Sequence, residues 1–418
     1  MPHSSVSTPH GFASLVRRTA LAVALVLCTG AALSGCGRQH ATSILESRGS
    51  THVVPAAETA VSLALSGPVH LEGELGPGAM WALDVPATWN GDLVVWLHGY
   101  TNPAAPIALP AFGPMRDAML AQGYAVIASS YSENGYSVKL GMIQSHQLSG
   151  IFASRVSAPA HTYLVGVSLG GIIGALLVEK FPDQYDGGLL VSGVVGGSER
   201  EMMYVGDIRV LFDVVYPGIL PGDLLHVPDG TNVNQVLGQA QQAILANTQG
   251  AGIIAALARV PPEYASGPEL VQTILTALGF QLQGANDILA RTHGHSFFEN
   301  ADWTYTGALP PTLLGQINAA VARYSATPDA ASYLDRYGSP AGSLSLPVIT
   351  LHNSRDPVVP YRHEGWYLTA VTDQAATSFL LQRTLSAPYG HSVIQPSELT
   401  ANLADLSHWV ETGIKPAP

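Results

Sequence analysis

The spacing of apolar and polar positions changes several times along this chain, and each change predicts a different element. Apolar and polar residues alternate over 69–75 and again over 80–85, with turn residues at 76–78 between them, which is typical of two strands joined by a tight turn. The next run, at 93–97, is apolar throughout. Such runs favour a strand that is covered on both faces of a sheet.

From there to about residue 191, helix patterns and strand patterns take turns. In chain order they lie at 111–122 (helix), 124–128 (strand), 138–153 (helix), 162–165 (strand), 169–181 (helix) and 188–191 (strand). Strands that alternate with helices indicate a parallel sheet in an α/β layer fold.

This alternation stops over 197–343, where helical stretches stand among Pro and Gly residues with few strand signals. The stretches are 234–247, 251–259, 270–278 and 313–325. From 346 the rhythm resumes, with strands at 348–351 and 377–381 and helices at 363–371 and 396–411. We interpret 61–196 and 344–418 as one α/β core and 197–343 as an inserted, mainly helical cap. A second independent domain is the alternative, and the strand patterns on both sides argue against it.

Composition narrows the class of protein. Hydrophobic residues make up 47% of the 418 residues and charged residues only 11%, against about 25% in typical globular domains. This excludes a disordered chain. Lys and Arg number 18 against 30 Asp and Glu, a net charge of −12, with no basic stripe. A phosphate backbone therefore has no site to dock on, and we exclude nucleic acid as a partner.

The first residues have the pattern of an export signal. Two arginines precede a short apolar run at 19–32, which predicts a signal peptide over 1–35 rather than a spanning helix. The run leads into Leu-Ser-Gly-Cys36, which resembles the bacterial lipobox, whose cysteine becomes the lipidated first residue. The alternative is that Cys36 simply lies near an ordinary cleavage site. Residues 36–60 begin with this cysteine and are mostly small and polar, as in a tether.

Lipidation at Cys36 implies an exported bacterial lipoprotein that is held at a membrane of the cell envelope. The chain has 2 cysteines, and the other one, Cys28, lies inside the predicted signal peptide. The mature protein would therefore have no thiol for a disulfide, a cysteine metal site or cysteine catalysis.

The strongest chemical motif is Gly166-Val-Ser168-Leu-Gly170, between a predicted strand and a predicted helix. This is the context of a nucleophile elbow, a tight turn that exposes a serine hydroxyl above the sheet. The helix behind the turn directs backbone N–H groups and its positive end toward the reacting carbonyl. We predict Ser168 as the nucleophile.

A serine hydroxyl needs a base, and the base needs an acid that orients it. In this context the chain order is serine, acid, histidine. Asp356 follows the strand predicted at 348–351, where catalytic groups gather in open α/β sheets, and His391 lies in the loop after the last predicted strand. We predict these two residues as the partners of Ser168. Asp356 could instead have only a turn role before Pro357. The alternative acids are Asp373, at the end of a predicted helix, and Asp405, inside one. The alternative bases are His363, which is too near Asp356 in sequence, and His408, which lies in the last predicted helix.

Acyl transfer also needs two N–H donors for the oxyanion. One is the N–H of Leu169, directly after the nucleophile. The other should come from the loop after the strand at 93–97, where Gly99 lets the backbone turn. We predict the N–H of Tyr100, with that of Gly99 as the fallback.

These motifs together resemble the α/β-hydrolase superfamily over 69–196 and 344–415. The segments at 134–136, 181–187 and 409–413 are similar, more closely, to secreted bacterial hydrolases of the esterase and prolyl-oligopeptidase-like group. The resemblance implies an eight-stranded, mostly parallel sheet, a Ser-His-Asp triad, and no metal or other cofactor. Tyr100 stands where lipases with a His-Gly-Gly-Gly loop have their second glycine, so their ester preferences do not transfer.

The predicted cap matches no motif. Its aromatic residues Phe297, Phe298 and Trp303 are the candidates for substrate contacts, with ordinary packing as the alternative. His293 and His295 are two residues apart and do not face together on a helix, so we predict no metal there.

Three functions are open at this point. The first is a lipid-anchored serine hydrolase that cleaves small to medium or aromatic acyl esters through an acyl-enzyme. The second is an aminopeptidase or amidase with the same triad, in which Glu299 or Asp302 holds an amino terminus. The third is a non-catalytic surface lipoprotein that uses the fold for binding, although such a protein would normally have lost a triad residue.

Overall fold

An eight-stranded sheet runs through the centre of the protein, in the strand order β1-β2-β4-β3-β5-β6-β7-β8. The computed structural model describes residues 67–418 except Pro77 and Phe112; the predicted signal peptide, Cys36 and the tether lie outside the described residues. The strands are β1 (Val69–Glu74), β2 (Met80–Val85), β3 (Leu93–Leu97), β4 (Ala125–Ser129), β5 (Thr162–Val167), β6 (Gly187–Val191), β7 (Val348–His352) and β8 (Leu380–Thr384).

The first two strands are antiparallel to their neighbours and all other pairs are parallel. The prediction of a mostly parallel sheet flanked by helices is confirmed. The helices are α1 (Gly113–Ala121), α2 (Val138–Arg155), α3 (Leu169–Lys180), α4 (Ser198–Val215), α5 (Val233–Ala246), α6 (Thr248–Leu257), α7 (Gly267–Arg291), α8 (Pro311–Ala320), α9 (Pro328–Gly338), α10 (Arg362–Asp373) and α11 (Pro396–Thr412).

Helices cover both faces of the sheet, which explains why the central strand β3 is apolar throughout. Leu93, Val95 and Leu97 of β3 belong to the same core as α2 and α3. The alternate residues Val94 and Trp96 belong to a second core with α1 and α11. All five residues of β3 are buried.

The segment between β6 and β7 holds α4 to α9, although these two strands are neighbours in the sheet. Four of its six helices match predicted stretches, and α7 extends well beyond the predicted 270–278. The sequence reasoning did not predict α4 and α9. We call the region 197–343 the helical insertion.

Two smaller differences concern the ends of elements. The predicted strand at 377–381 begins later, at Leu380, because Thr377–Phe379 form one turn of 3-10 helix. The helix predicted from 111 begins at Gly113. Among the residues that the structure describes, no helix is both long enough and apolar enough to span a bilayer.

Candidate active site

Ser168 occupies a strained turn between β5 and α3. Its φ of 57° and ψ of −118° lie in a region that non-glycine residues rarely adopt. Its N–H donates to the carbonyl of Val191 at 2.9 Å, which ties the turn to β6. A Cβ atom at Gly166 would overlap the carbonyl oxygen of Gly170, and one at Gly170 would overlap that of Leu97. Glycine is therefore required on both sides of the serine.

A row of hydrogen bonds runs from Ser168 through His391 to Asp356. The Oγ atom of Ser168 lies 2.8 Å from Nε2 of His391, and Nδ1 of His391 lies 2.8 Å from Oδ2 of Asp356. Because the carboxylate can only accept, Nδ1 carries a proton and Nε2 is free to accept the serine proton. The structure thus brings together the three residues predicted as nucleophile, base and acid.

The other residues considered for these roles lie elsewhere. Asp405 pairs with Arg383 at 2.6 Å, and Asp373 ends α10. His408 is exposed on α11. His363 is buried and faces a different carboxyl group, that of Glu201.

Both carboxylate oxygens of Asp356 are bonded. Oδ1 accepts the N–H groups of Val358 at 2.8 Å and Val359 at 3.1 Å, so the Asp-Pro turn seen in the sequence also fixes the carboxylate. Burial works to raise the pKa of Asp356, but His391 and His352 outweigh it and lower the pKa to about 2. Asp356 is therefore an anion throughout the neutral range.

His352 was not predicted to have a role, and it lies against this anion. Its Nδ1 faces Glu364 Oε1 at 2.9 Å, and its Nε2 faces the Val359 carbonyl at 2.9 Å and Asp356 Oδ2 at 3.5 Å. Both ring nitrogens face acceptors, so both are donors and the ring is charged. Burial opposes that charge, but the bonds to Asp356 and Glu364 raise the pKa of His352 to about 10.

The loop that carries His391 is tied to the loop that carries Asp356. The N–H of Arg355 donates to the Pro388 carbonyl at 2.7 Å. The side-chain amide of Asn353 donates to the Ala387 carbonyl at 2.6 Å, and its oxygen accepts from the N–H of Val393 at 3.1 Å. These bonds fix the distance between base and acid.

The predicted oxyanion donors lie beside the serine. The N–H of Leu169 opens α3, and neither it nor the N–H of Tyr100 has a hydrogen-bond acceptor among the described residues. A Cβ atom at Gly99 would come within 3.2 Å of the Ser168 Cβ, so this loop passes directly over the nucleophile. Both N–H groups are thus free to receive a substrate oxygen.

A cavity of about 60 Å³ lies at Ser168, between the sheet and the helical insertion. The residues that the helical insertion contributes to the cavity lining are mainly apolar and include Met202, Val205, Leu224, Phe280, Ile288 and Phe297. Tyr100 contributes its side chain from the core, 5.5 Å from the ring of Phe280. The sequence reasoning had assigned Tyr100 only a backbone role.

Of the three aromatic residues predicted to contact substrate, Phe297 alone is among the residues that line this cavity. Phe298 is buried against Gly206 and lies 5.2 Å from the Arg259 guanidinium. Trp303 is 45% exposed and lies 5.5 Å from the same guanidinium. Neither ring is among the residues that line the cavity; both pack against Arg259, which is paired with Asp207 at 2.8 Å.

The two acidic residues proposed for an amino terminus do not line the cavity either. Glu299 accepts the N–H groups of Ala301 and Ala326 at 2.8 Å each, which stabilises its own loop. Asp302 is exposed. The carboxyl group that does line the cavity belongs to Glu201 of α4, which the sequence reasoning missed.

The sheet order, the turn at Ser168 and the hydrogen-bonded row decide the architecture. The chain has the α/β-hydrolase fold. No protein-family model matches the sequence, and no curated protein matches it either.

Solved structures similar to this hydrolase fold include feruloyl esterase B from Aspergillus oryzae, with 14% identity and a TM-score of 0.47 over 84% of this chain and 81% of that chain. An esterase from Aspergillus oryzae has 16% identity and a TM-score of 0.41 over 81% of this chain and 78% of that chain. An acylaminoacyl peptidase from Pyrococcus horikoshii has 10% identity and a TM-score of 0.43 over 84% of this chain and 42% of that chain.

One group of side chains in this α/β-hydrolase fold has the composition of a metal site. Asp92, His161 and Glu411 place one ligand atom each within 4.8 Å of one another. Asp92 and His161 also bond directly, at 3.1 Å. Asp92 directly precedes β3, His161 directly precedes β5, and Glu411 lies near the end of α11. Ser168 follows β5, so an ion held there would lie at the opposite end of the sheet from the serine.

Proposed function

We propose that the protein is a serine hydrolase that cleaves carboxylic esters, with Ser168 as nucleophile, His391 as base and Asp356 as the acid that orients it. The observation that carries the proposal is the hydrogen-bonded row with 2.8 Å at each link, set at the strained turn that exposes the serine. A hydroxyl, an imidazole and a buried carboxylate in this order are what serine acyl transfer requires.

In the acylation step, Nε2 of His391 takes the proton of Ser168 as Oγ attacks the ester carbonyl. The N–H groups of Leu169 and Tyr100 receive the oxyanion. His391 then gives its proton to the leaving alcohol, and Asp356 stabilises the imidazolium in between. Water, activated by the same imidazole, hydrolyses the acyl-enzyme and regenerates the serine.

The helical insertion is proposed to act as a cap that encloses the acyl group. Its residues supply most of the apolar lining next to Ser168. Such a lining favours small to medium or aromatic acyl groups over polyanionic substrates, because burying a charge in an apolar site is costly. Attachment to a membrane of the cell envelope through a lipidated Cys36 is likewise a proposal.

The test also distinguishes two other functions. An aminopeptidase or amidase would use the same three residues, but neither Glu299 nor Asp302, the candidates for binding an amino terminus, is among the residues that line the cavity. A binding protein without activity would not need the strained backbone at Ser168, which costs on the order of 1–3 kcal/mol.

Labelling with a fluorophosphonate tests the proposal. The protein without its predicted signal peptide is expected to react with the probe and to hydrolyse p-nitrophenyl acetate and butyrate, and Ser168→Ala is expected to do neither. Ser154→Ala, an exposed serine on α2, is the matched control and should behave as wild type. Labelling that survives Ser168→Ala would overturn the proposal. Faster cleavage of amino-acid anilides than of esters would favour the amidase.

A further inference from the structure

Two polar groups in the cavity at Ser168 have no hydrogen-bond partner within the described part of the chain. They are the Oε2 atom of Glu201 and the hydroxyl group of Tyr100. Other polar side chains of the lining are already bonded: the Tyr136 hydroxyl donates to a serine at 2.8 Å, and the Gln281 oxygen accepts from an arginine at 2.7 Å. Buried polar groups are nearly always hydrogen-bonded, so unpaired ones in a cavity indicate a group on the ligand.

A neutral histidine lies beside Glu201. Its Oε2 atom lies 3.2 Å from Nε2 of His363, without the alignment of a hydrogen bond. Nδ1 of His363 accepts the N–H of Gly196 at 3.0 Å, so the ring carries its proton on Nε2. Burial, with the charge of His352, lowers the pKa of His363 to about 3, and the ring brings no positive charge to Glu201.

Glu201 itself is neutral near pH 7. It is only 6% exposed, and burial together with the charge of Asp356 raises its pKa to about 8, against the opposing influence of His391 and His352. The titratable groups that face it are His363 of α10, His352 and Asp356 at the end of β7, His391 after β8, Tyr136 before α2 and Tyr204 of α4. A protonated carboxyl group offers one donor and one acceptor, which together match a hydroxyl group.

We propose that Glu201 binds a hydroxyl group on the acyl chain, with the Tyr100 hydroxyl as a second polar partner, so that the enzyme selects hydroxyacyl esters. This rests on the proposed function, whose cavity it uses. A neutral polar substituent fits better than a charged one. An ammonium would have to ionise Glu201 in an apolar cavity, and a carboxylate would be buried near the Asp356 anion.

The test compares ethyl butyrate with the ethyl esters of 2- and 3-hydroxybutyrate and of 3-aminobutyrate. Wild type is expected to prefer at least one hydroxy ester over butyrate by about tenfold or more in kcat/KM, because the plain chain leaves buried polar groups unpaired. Glu201→Leu should bring that ratio close to one. Glu201→Gln keeps a donor and an acceptor and should retain the preference to within about threefold. Glu199→Leu, exposed on the same helix, is the matched control.

Fluorophosphonate labelling of Ser168 in every variant shows that each one folds with a working nucleophile. Labelled wild type with no preference for a hydroxy ester, or a preference that Glu201→Leu leaves intact, overturns this inference and leaves the proposed function standing. A preference for the amino ester overturns it as well. Absence of both labelling and ester hydrolysis in wild type would remove the proposed function, and this inference with it.

Discussion

Two buried histidines near Ser168 have opposite charge states, and their hydrogen bonds explain why. Both ring nitrogens of His352 face acceptors, and its pKa is about 10. His363 accepts a backbone N–H at Nδ1, and its pKa is about 3. Asp356 is ionised because the charges of His391 and His352 outweigh its burial, whereas burial and the charge of Asp356 keep Glu201 protonated beside a neutral ring. Two carboxyl groups at one site thus have different charge states, set by their burial and by the charges around them.

His352→Phe is expected to lower the free energy of unfolding by about 3–5 kcal/mol, because it leaves the buried carboxylates of Asp356 and Glu364 without their cation. The pKa of Asp356 should rise, because the charge of His352 no longer lowers it. Urea unfolding measures the change in stability, and a carbon-13 NMR titration of the aspartate carboxyl groups measures the pKa. His408→Phe, exposed on α11, is the control. An unchanged pKa of Asp356 would show that His352 does not act on it.

Glu201 gives a stability prediction whose sign follows from its raised pKa. The carboxyl group of Glu201 loses its proton near pH 4.5 in the unfolded chain but only near pH 8 in the folded chain. Between these two pH values the folded state therefore binds more protons than the unfolded state. The stability that Glu201 contributes is therefore lost as pH rises from about 4.5 to about 8. Relative to wild type, Glu201→Gln should gain stability over this window and level off above it. Urea midpoints at pH 4, 6 and 9 test this, with Glu199→Gln as control.

At the residue scale the sequence indicated the three side chains that the structure brings into hydrogen-bond contact, but not the groups around them. Ser168, Asp356 and His391 were predictable because each follows the end of a strand, and strand ends show in the apolar pattern. His352 is the last residue of β7 and looked like part of that strand. Its role depends on Glu364, which only the packing of α10 brings to 2.9 Å.

At the scale of elements, α4, one of the two helices that the pattern did not predict, carries Glu201. α4 spans 18 residues, and its buried set includes Glu201, Asp207 and Arg209 beside apolar residues. Buried charges blur the apolar period on which helix prediction depends. Arg209 is fully buried because it bonds Asp213, Gln281 and two carbonyls, partners that a sequence pattern does not show.

The turn at Ser168 gives the prediction at this scale. Gly170→Ala adds a methyl group that overlaps the Leu97 carbonyl, so the turn that positions Ser168 against His391 must shift. We expect at least a tenfold loss of kcat/KM and of labelling rate, because small displacements of a reacting group are costly. Gly150→Ala is the matched control: nothing lies within 4 Å of its added methyl group, and helix propensity favours alanine by up to about 1 kcal/mol. Equal labelling rates in the two variants would contradict the steric argument.

At the scale of the whole molecule, the alternation of strands and helices was sufficient to predict the layered sheet. The position of the helical insertion was also predictable, because strand patterns stop near 191 and resume near 348. The sequence did not predict which side chains of the insertion lie next to Ser168, because this depends on contacts between residues far apart in the chain, such as the ion pair of Arg259 with Asp207.

The proposed anchor gives the last prediction. Cys36→Ser should abolish the incorporation of radiolabelled palmitate into the full-length protein and release it from the membrane fraction, since serine offers no thiol for lipidation. Ser168→Ala is the matched control and should remain lipidated. Lipid incorporation that persists in Cys36→Ser would show that Cys36 is not the attachment point.

The separation of the three reacting residues along the chain has a consequence for the order of events during synthesis. Ser168 precedes the insertion, whereas Asp356 and His391 follow it, and 223 residues separate the nucleophile from its base. A ribosome builds the chain from its amino terminus at about 5–20 residues per second. Under the proposed function, the serine exists for some seconds before any base can activate it, and a chain that ends anywhere before His391 would be inert. Activity would require β7 and β8 to complete the sheet.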